Sequence, residues 1–187
     1  MIIVISGPSG VGKGTVVAEL LKKDTALVRA ITCTTRQPRK DEKDGIDYYF
    51  LSEEEFFDFV KKKKLAEFAF VHRNYYGTPI KSILQGKDKD VVLQIDTQGA
   101  KRIKSLFPEA LLIFLLPPSI DALAKRLLKR GTETEEEREK RLERANKEIQ
   151  ERMFYDYIVL NDDLHRASEE IEKIIQYERA LRRKKAL

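Results

Sequence analysis

The sequence predicts an α/β fold in which helices cover both faces of a mainly parallel sheet. The first observation is a set of short, nearly continuous apolar runs, which are typical of strands buried on both faces. These runs are residues 2–5, 91–95, 111–116 and 157–160. The second observation is that an amphipathic segment follows each run. Because strands alternate with helices, we expect right-handed crossover connections between parallel strands.

The helical segments are recognised by apolar residues three or four positions apart. They are marked by Val17, Leu20 and Leu21, by Ile103 and Leu106, by Leu123 and Leu127, and by Ile171, Ile174 and Ile175. A length of 187 residues suits one domain with enough core to fold alone. We therefore expect a single α/β domain.

Two segments interrupt the alternation. In residues 32–78, Ser52 and Glu55 have the spacing of a capping box at the start of a short helix, and a strand-like run follows at 68–71. Residues 131–152 are densely charged and contain a second capping box, Thr134 with Glu137. We expect the first segment to be a small inserted lobe. Composition alone indicates that the second is a solvated surface helix.

Composition and charge narrow the classes of function. The formal net charge of +5 suits an anionic ligand, but basic and acidic residues are interleaved, so nucleic-acid binding is not predicted. Cys33 is the only cysteine and is expected to be a small strand residue, while His72 and His165 lie far apart and suggest no metal site. No apolar run reaches membrane-spanning length and no signal peptide is recognised, so we expect a cytoplasmic protein.

The strongest motif follows the first predicted strand. Gly7-Pro8-Ser9-Gly10-Val11-Gly12-Lys13 fills the first seven positions of the phosphate-binding pattern G-x-x-x-x-G-K-[ST]. Glycines let several backbone N–H groups turn toward phosphate oxygens, and the next helix adds the positive end of its dipole. Lys13 supplies a mobile charge for the transferred phosphate. The motif predicts nucleoside triphosphate binding and phosphoryl transfer.

One position departs from this pattern. Gly14 follows Lys13, and Thr15 stands one place later, so the hydroxyl that commonly binds Mg²⁺ is absent. We expect Mg²⁺ to accompany ATP and to be held mainly by phosphates and water. No direct protein ligand for the metal is assigned.

The inserted segment indicates a phosphorylated acceptor. Arg36 and Arg39 stand three residues apart beside two threonines, and Tyr48 follows after an acidic turn. Two guanidinium groups and a phenol can surround a dianionic phosphate, because arginine donates two parallel hydrogen bonds where lysine cannot. A single such arginine would be read as a surface residue, but the group of three favours a phosphate site.

At this point the sequence closely resembles the guanylate kinase family. The matching segments are residues 7–13, 34–39, 45–50, 74–78, 95–100, 117–119, 130–133 and 161–163. They run in family order over almost the whole chain. The resemblance implies a P-loop nucleoside monophosphate kinase fold, with a parallel five-stranded core sheet flanked by helices. It also implies an inserted GMP-binding lobe, residues 32–78, and a helical lid, residues 130–152, with the core formed by residues 1–31, 79–129 and 153–187.

The implied activity is transfer of the γ-phosphoryl group of ATP to GMP in purine nucleotide metabolism. The expected partners are these two small molecules, with no nucleic acid and no membrane, and the expected state is a monomer or homodimer. The implied catalytic residues are Lys13, Arg36, Arg130 and Arg141. ATP would be bound by Gly7, Pro8, Ser9, Gly10, Val11, Gly12, Lys13, Gly14 and Thr15, with Arg126 and Asn161. GMP would be bound by Thr32, Arg36, Arg39, Tyr48, Glu67, Tyr76, Thr78 and Asp96.

Glu67 carries the implied choice of base. Guanine presents N1–H and an exocyclic amine side by side, and one carboxylate accepts from both, whereas adenine presents a bare acceptor nitrogen at N1. Asp96, at the end of a core strand, could also order the water molecules around Mg²⁺. Two departures bear on these roles: Gln94 stands where the family usually has an acid, and Arg73 stands where glycine is common.

Two other functions fit parts of the pattern. A non-catalytic guanylate-kinase-like module that binds phosphopeptides would resemble the lobe, but such modules generally lose the phosphate loop. A ribose-phosphate kinase of related fold would share the loop, but Glu67, Thr32 and Thr78 favour a purine base.

Overall fold

The computed structural model describes residues 1–71, 73–86, 88–128 and 135–185, with the backbone alone at 127, 128, 135–139 and 141. The core is a parallel five-stranded sheet. Its strands are β1 (Ile2–Ser6), β2 (Leu27–Arg29), β7 (Asp90–Gln94), β8 (Leu111–Leu116) and β9 (Tyr157–Leu160), in the order β2-β7-β1-β8-β9. The predicted α/β fold with a five-stranded parallel sheet is therefore confirmed. The strand that no apolar run marked is β2, a three-residue edge strand.

Helices cover the two faces of this sheet. They are α1 (Lys13–Lys23), α3 (Ile80–Leu84), α4 (Thr97–Leu106), α5 (Ile120–Leu128), α6 (Glu135–Gln150) and α7 (Leu164–Lys185). One apolar cluster joins the sheet to α1 and α7 through Leu20 and Ile171, and a second joins it to α4 through Ile103. None of the helices within the described residues is long and apolar enough to cross a membrane.

A second sheet is built from residues within 33–79. Its strands are β3 (Cys33–Thr34), β4 (Tyr49–Phe50), β5 (Leu65–Val71) and β6 (Asn74–Pro79), in the order β4-β3-β6-β5, and helix α2 (Glu53–Lys61) packs on it. The predicted capping box is present: the Ser52 side chain accepts from the Glu55 backbone N–H, and the Glu55 carboxylate accepts from the Ser52 N–H. Burial raises the pKa of Cys33 to about 12, so this thiol is an inert strand residue.

The structure corrects the expectation that all four apolar runs are buried on both faces. Strand β9 lies at the edge of the sheet, and Ile158 and Leu160 are 40% and 38% exposed. Its alternate residue Val159 is fully buried, so the strand is covered on one face by the described residues. An edge strand needs only one apolar face, and the continuous apolar run concealed that difference.

Arg73 adopts a backbone conformation that suits glycine. It lies in the hairpin between β5 and β6, where Val71 pairs with Asn74, and its φ is +62°. This left-handed backbone costs a residue with a side chain more than it costs glycine.

Several sequence predictions lie outside the described residues: the capping box of Thr134 with Glu137, the apolar side chain of Leu127, and His72.

A charged network joins α7 to the first residue of β7 and to the end of α1. Arg179 donates from Nε to Asp90 Oδ2 at 2.6 Å and from Nη1 to Asp24 Oδ2 at 2.7 Å, and the Met1 ammonium donates to Asp90 Oδ1 at 2.6 Å. Partial burial favours a higher pKa for Asp90, but the hydrogen bonds from Met1 and Arg179 outweigh it and hold the pKa below its ordinary value.

Arg179→Met should therefore lower the free energy of unfolding at pH 7 by about 1–3 kcal/mol, because it removes two charged hydrogen bonds. Since the folded pKa of Asp90 is depressed, its contribution is present above the unfolded pKa and is lost as pH falls through the folded pKa. Urea unfolding at pH 7 and pH 3 should show a gap between variant and parent that narrows in acid. The exposed Arg183→Met is the control. An equal gap at both pH values would rule out this account.

Candidate active site

The phosphate loop connects β1 to α1 at the carboxyl edge of the core sheet, where α/β proteins bind ligands. Gly7, Gly10 and Gly12 have φ values of +143°, +86° and +103°, a backbone conformation that L side chains rarely adopt. A Cβ at Gly7 would also lie 2.5 Å from the carbonyl oxygen of Leu115. The glycines of the motif are thus required by the turn itself. Lys13 begins helix α1, and its ammonium donates to the carbonyl oxygens of Gly7 and Pro8 at 2.6 and 3.1 Å.

Two side chains, one from α5 and one that follows β9, hold the phosphate loop by hydrogen bonds. The Asn161 side-chain amide donates to the carbonyl oxygen of Val11 at 2.7 Å. Arg126 donates to the same oxygen and to the Asn161 carbonyl, each at 2.9 Å. These contacts show Arg126 and Asn161 as supports of the loop. Their predicted contact with ATP stays a prediction.

One cavity of about 390 Å³ joins the phosphate loop to the second sheet. On the core side it is lined by Gly7, Ser9, Gly10, Gly12, Lys13, Gly14, Thr15 and Asp96. On the other side it is lined by Thr32, Arg36, Arg39, Tyr48, Glu67 and Tyr76. The cavity therefore brings together most of the residues that the sequence assigned to two separate ligands. Its size is in the range of small-molecule sites.

Arg36 is held in a fixed orientation at the second-sheet end of the cavity. Its Nη2 donates to both carboxylate oxygens of Glu42 at 2.8 Å, and its Nη1 donates to the Gln37 carbonyl at 2.7 Å. The guanidinium also lies 5.5 Å from the ring centre of Tyr48. Glu42 further accepts from the backbone N–H of Arg39 at 2.8 Å. One carboxylate thus organises both arginine positions.

Glu42 was not predicted as a site residue. The sequence showed it only as part of an acidic turn. It lies six positions after Arg36, in an irregular segment. No periodic spacing marks such a contact, so the fold was needed to find it.

Tyr48 and Tyr76 complete this end of the cavity. Their ring centres lie 6.2 Å apart. Burial raises the pKa of Tyr48 above its ordinary value, so its phenol keeps its proton and remains a hydrogen-bond donor. The two threonines that precede Arg36 have a structural role. Thr34 donates to the Tyr75 carbonyl, and Thr35 accepts from the Tyr75 N–H, so both fasten β6 to the neighbouring segment.

Glu67 is a buried acid that faces the cavity. Its residue is only 4% exposed, and Thr78 donates to Oε1 at 2.5 Å. Desolvation raises the pKa of Glu67 to about 7, against the opposing hydrogen bond from Thr78. Thr78 itself is fully buried, so it orients the carboxylate from the side away from the cavity. A carboxyl group with a pKa near 7 inside a cavity is typical of functional sites.

Asp96 caps helix α4, where its Oδ1 accepts from the Gly99 N–H at 2.8 Å. Its Oδ2 lies 3.5 Å from Nη2 of Arg144 on helix α6, and Arg144 Nε donates to Glu148 at 3.0 Å. Glu148 also lines the cavity and is 8% exposed. Sequence reasoning missed this pair, although a spacing of four residues on a helix is a recognisable signal.

The two predicted lid arginines are placed differently. Arg130 lies outside the described residues. Arg141 lies on helix α6, but its side chain is outside the described part. Their catalytic roles stay predictions.

Gly14, which departs from the general phosphate-loop pattern, lies beside Gln94. A Cβ at Gly14 would lie 3.5 Å from both side-chain polar atoms of Gln94. The amide of Gln94 therefore packs beside the position where a hydroxyl side chain would stand.

Comparison with known proteins identifies the family. The family model described as guanylate kinase matches residues 1–178. The chain belongs to the guanylate kinase family.

Individual guanylate kinases are similar over nearly the whole chain. The guanylate kinase of Caldanaerobacter subterraneus is 49% identical over 94% of this chain and 86% of its own length. That of Prochlorococcus marinus is 48% identical over 94% of this chain and 96% of its own length. The crystal structure of guanylate kinase from Anaplasma phagocytophilum has a TM-score of 0.80 and 34% identity, covering 95% of this chain and 85% of that one. The likeness thus extends over the core and the second sheet of the guanylate kinase fold.

Asn161→Ala should weaken nucleotide binding at the phosphate loop, because Val11 then loses one of the two donors that hold it. One hydrogen bond contributes about 0.5–1.5 kcal/mol, so the Kd for ADP should rise about 2- to 10-fold in calorimetry. Asn146→Ala, on an exposed face of α6, is the control. An unchanged Kd would show that Arg126 alone is enough to hold the loop.

Proposed function

We propose that the protein transfers the γ-phosphoryl group of ATP to GMP, giving ADP and GDP. The observation that carries this proposal is the single cavity with a phosphate loop at one end and Arg36, Tyr48 and Glu67 at the other. A transferase must hold donor and acceptor phosphates in line within one water-poor space. One cavity with a phosphate-binding group of residues on each side meets that need.

The loop and Lys13 would bind the triphosphate of ATP. The Lys13 ammonium donates to two loop carbonyls, and phosphate oxygens would take their place when ATP binds. Lys13 would then stay with the phosphoryl group as its charge spreads over the equatorial oxygens. Arg130 and Arg141 of the proposed lid would add further positive charge.

Arg36, Arg39, Tyr48 and Tyr76 would hold the phosphate of GMP. Because Glu42 already fixes the orientation of Arg36, little side-chain freedom is lost when the phosphate binds. The acceptor phosphate is ionised at neutral pH, so the reaction needs no general base. The work of these residues is to orient the acceptor and to compensate its charge.

Glu67 would select guanine by accepting from N1–H and the exocyclic amine. Thr78 holds one carboxylate oxygen, and Thr32 and Asp96 line the same cavity. With adenine, one oxygen would face the lone pair of N1. A buried polar site built for one partner can reject such an analogue by about 10⁴–10⁵.

We further propose Mg²⁺ as the cofactor of ATP and the cytoplasm as the location. The residues beside Lys13 suit such an ion: Glu148 Oε2 is buried without a hydrogen-bond partner among the described residues, and Asp96 lies nearby. We expect the ion to be held mainly by phosphates and water. When bound, Mg²⁺ neutralises charge on the phosphates.

The phosphopeptide-binding alternative is less well supported. The loop keeps its strained glycines and Lys13 lines the cavity, features that a purely binding module does not need. A ribose-phosphate acceptor is disfavoured by the buried Glu67, which would face a sugar without the paired N–H donors that offset its burial.

The test is a coupled ADP assay with MgATP and GMP, AMP or CMP as acceptor. GMP should be used at least about 10³-fold more efficiently than the others, judged by kcat/KM. Glu67→Gln replaces an acceptor oxygen with a donor and should lower kcat/KM for GMP at least about 100-fold while the Kd for ATP is unchanged. The exposed Glu54→Gln is the control. Equal use of all acceptors would refute guanine selection, and no transfer to any would favour the binding module.

The pKa of Glu67 predicts how GMP affinity depends on pH. Burial holds the pKa of Glu67 near 7, and guanine requires the ionised carboxylate. Below pH 7, binding must therefore release a proton from Glu67, so the affinity for GMP should decrease as the pH is lowered. The GMP phosphate has a second pKa of about 6, so its protonation should reduce the affinity further at lower pH. Calorimetric titrations from pH 8.5 to 5.5 should show both losses in the parent and only the later one in Glu67→Gln. Identical profiles would exclude Glu67 from the titration.

A further inference from the structure

We propose that Gly99 is a specificity-determining residue: its missing side chain provides the space in which Glu67 holds its carboxylate. This inference rests on the proposed function, in which Glu67 accepts hydrogen bonds from guanine. Gly99 lies in the first turn of helix α4, on the core side of the cavity, whereas Glu67 lies on β5 of the second sheet. The contact therefore joins the two sides of the site.

The distances leave no room for a side chain at this position. A Cβ at Gly99 would lie 2.7 Å from Glu67 Oε2 and 3.1 Å from Glu67 Cδ. Thr78 holds the other oxygen at 2.5 Å. The carboxylate is thus confined between the Thr78 hydroxyl and the glycine. Any side chain at residue 99 must displace something.

The group that would yield is the carboxylate. The backbone of Gly99 is fixed by its N–H, which donates to Asp96 Oδ1 at 2.8 Å, and by the helix that follows. The next neighbour, the Cβ of Ile95, lies at 3.4 Å and needs little adjustment. Glu67 presents the far end of a flexible side chain, which can rotate away without moving the backbone.

A displaced carboxylate would lose the geometry that guanine needs. Two N–H donors on a rigid ring require both oxygens in one plane and at about 2.7–3.2 Å, and hydrogen bonds weaken steeply as their angles fall. Binding sites must be held within about 0.5 Å of the productive arrangement. The substitution leaves the residues of the phosphate loop unchanged, so ATP binding should be unaffected.

Helix chemistry separates this role from simple packing. The φ of Gly99 lies outside the left-handed range, so alanine can adopt the same backbone. Alanine also has the higher helix propensity. Gly99→Ala should therefore keep or raise thermal stability while it weakens GMP binding. If the glycine served only to pack α4 against β5, stability would fall and both nucleotides would be affected.

The experiment measures the Kd of GMP and of ADP by calorimetry, and Tm, for Gly99→Ala. Ser105→Ala, on the exposed part of the same helix, controls for helix propensity. We expect the Kd of GMP to rise at least 10-fold, the Kd of ADP to stay within 2-fold, and Tm not to fall. An unchanged Kd for GMP, or a Tm lowered by more than about 10 °C, would overturn the proposal, since in either case the carboxylate did not yield.

A second pair of variants tests the contact itself. Glu67→Asp shortens the side chain by one methylene and should weaken GMP binding alone, but it also removes the clash with an alanine at residue 99. The double variant should therefore bind GMP no more than about 2-fold more weakly than Glu67→Asp. If the decreases in GMP affinity of the two single variants multiply in the double variant, the two residues act independently, and the proposal is contradicted.

Glu67→Gln distinguishes this inference from the function on which it rests. If Glu67→Gln binds GMP as tightly as the parent, guanine selection by Glu67 is wrong and the role of Gly99 falls with it. If Glu67→Gln is weak but Gly99→Ala is normal, the proposed function stands and only the role of Gly99 is refuted.

Discussion

A carboxylate kept almost free of water between two parts of the fold constrains the rest of this site. Glu67 is 4% exposed, and its charged form is costly enough there to raise its pKa to about 7. Thr78 offsets part of that cost by donating to Oε1. The remaining demand for donors faces the cavity, and a planar base with two adjacent N–H groups meets it. The same burial that makes the group expensive makes it selective.

The groups proposed to bind phosphate, at both ends of the cavity, are held in place by neighbouring residues. Arg36 is oriented by Glu42 and Gln37, and the phosphate loop is held by hydrogen bonds from Arg126 and Asn161. Donors that are already in place lose little entropy and need little reorganisation when charge moves in the transition state. The acidic residues near the site, Glu42 and Asp96, thus serve the cations and helix ends rather than repel the phosphates.

The sequence predicted the architecture well because the core strands are short apolar runs in a regular alternation with helices. It located the phosphate loop, the helix opened by Ser52, and residues 68–71 of β5, the strand that begins at Leu65 and carries Glu67. It misjudged β9, since an apolar run does not show whether a strand lies at the edge of a sheet. It also did not locate β2, whose three residues are too few for a pattern.

The site was predictable where residues belong to a motif and unpredictable where contacts cross the fold. Glu42 reaches Arg36 through an irregular turn, and the fit between Gly99 and Glu67 joins positions 32 residues apart in the sequence. The hydroxyls of Thr34 and Thr35, beside Arg36, bond the backbone of Tyr75 on β6, a pairing that the sequence did not indicate. Such pairings are decided by tertiary packing, which spacing along the chain does not report.

The choice of nucleotide depends on whether the Glu67 carboxylate binds the paired donors of guanine. The most direct measurement compares the Kd values of GMP, IMP and AMP at pH 8, since IMP keeps N1–H but lacks the exocyclic amine. We expect IMP to bind at least 10-fold more weakly than GMP, and AMP, which lacks both donors, to bind more weakly again. Equal affinities for the three nucleotides would contradict it.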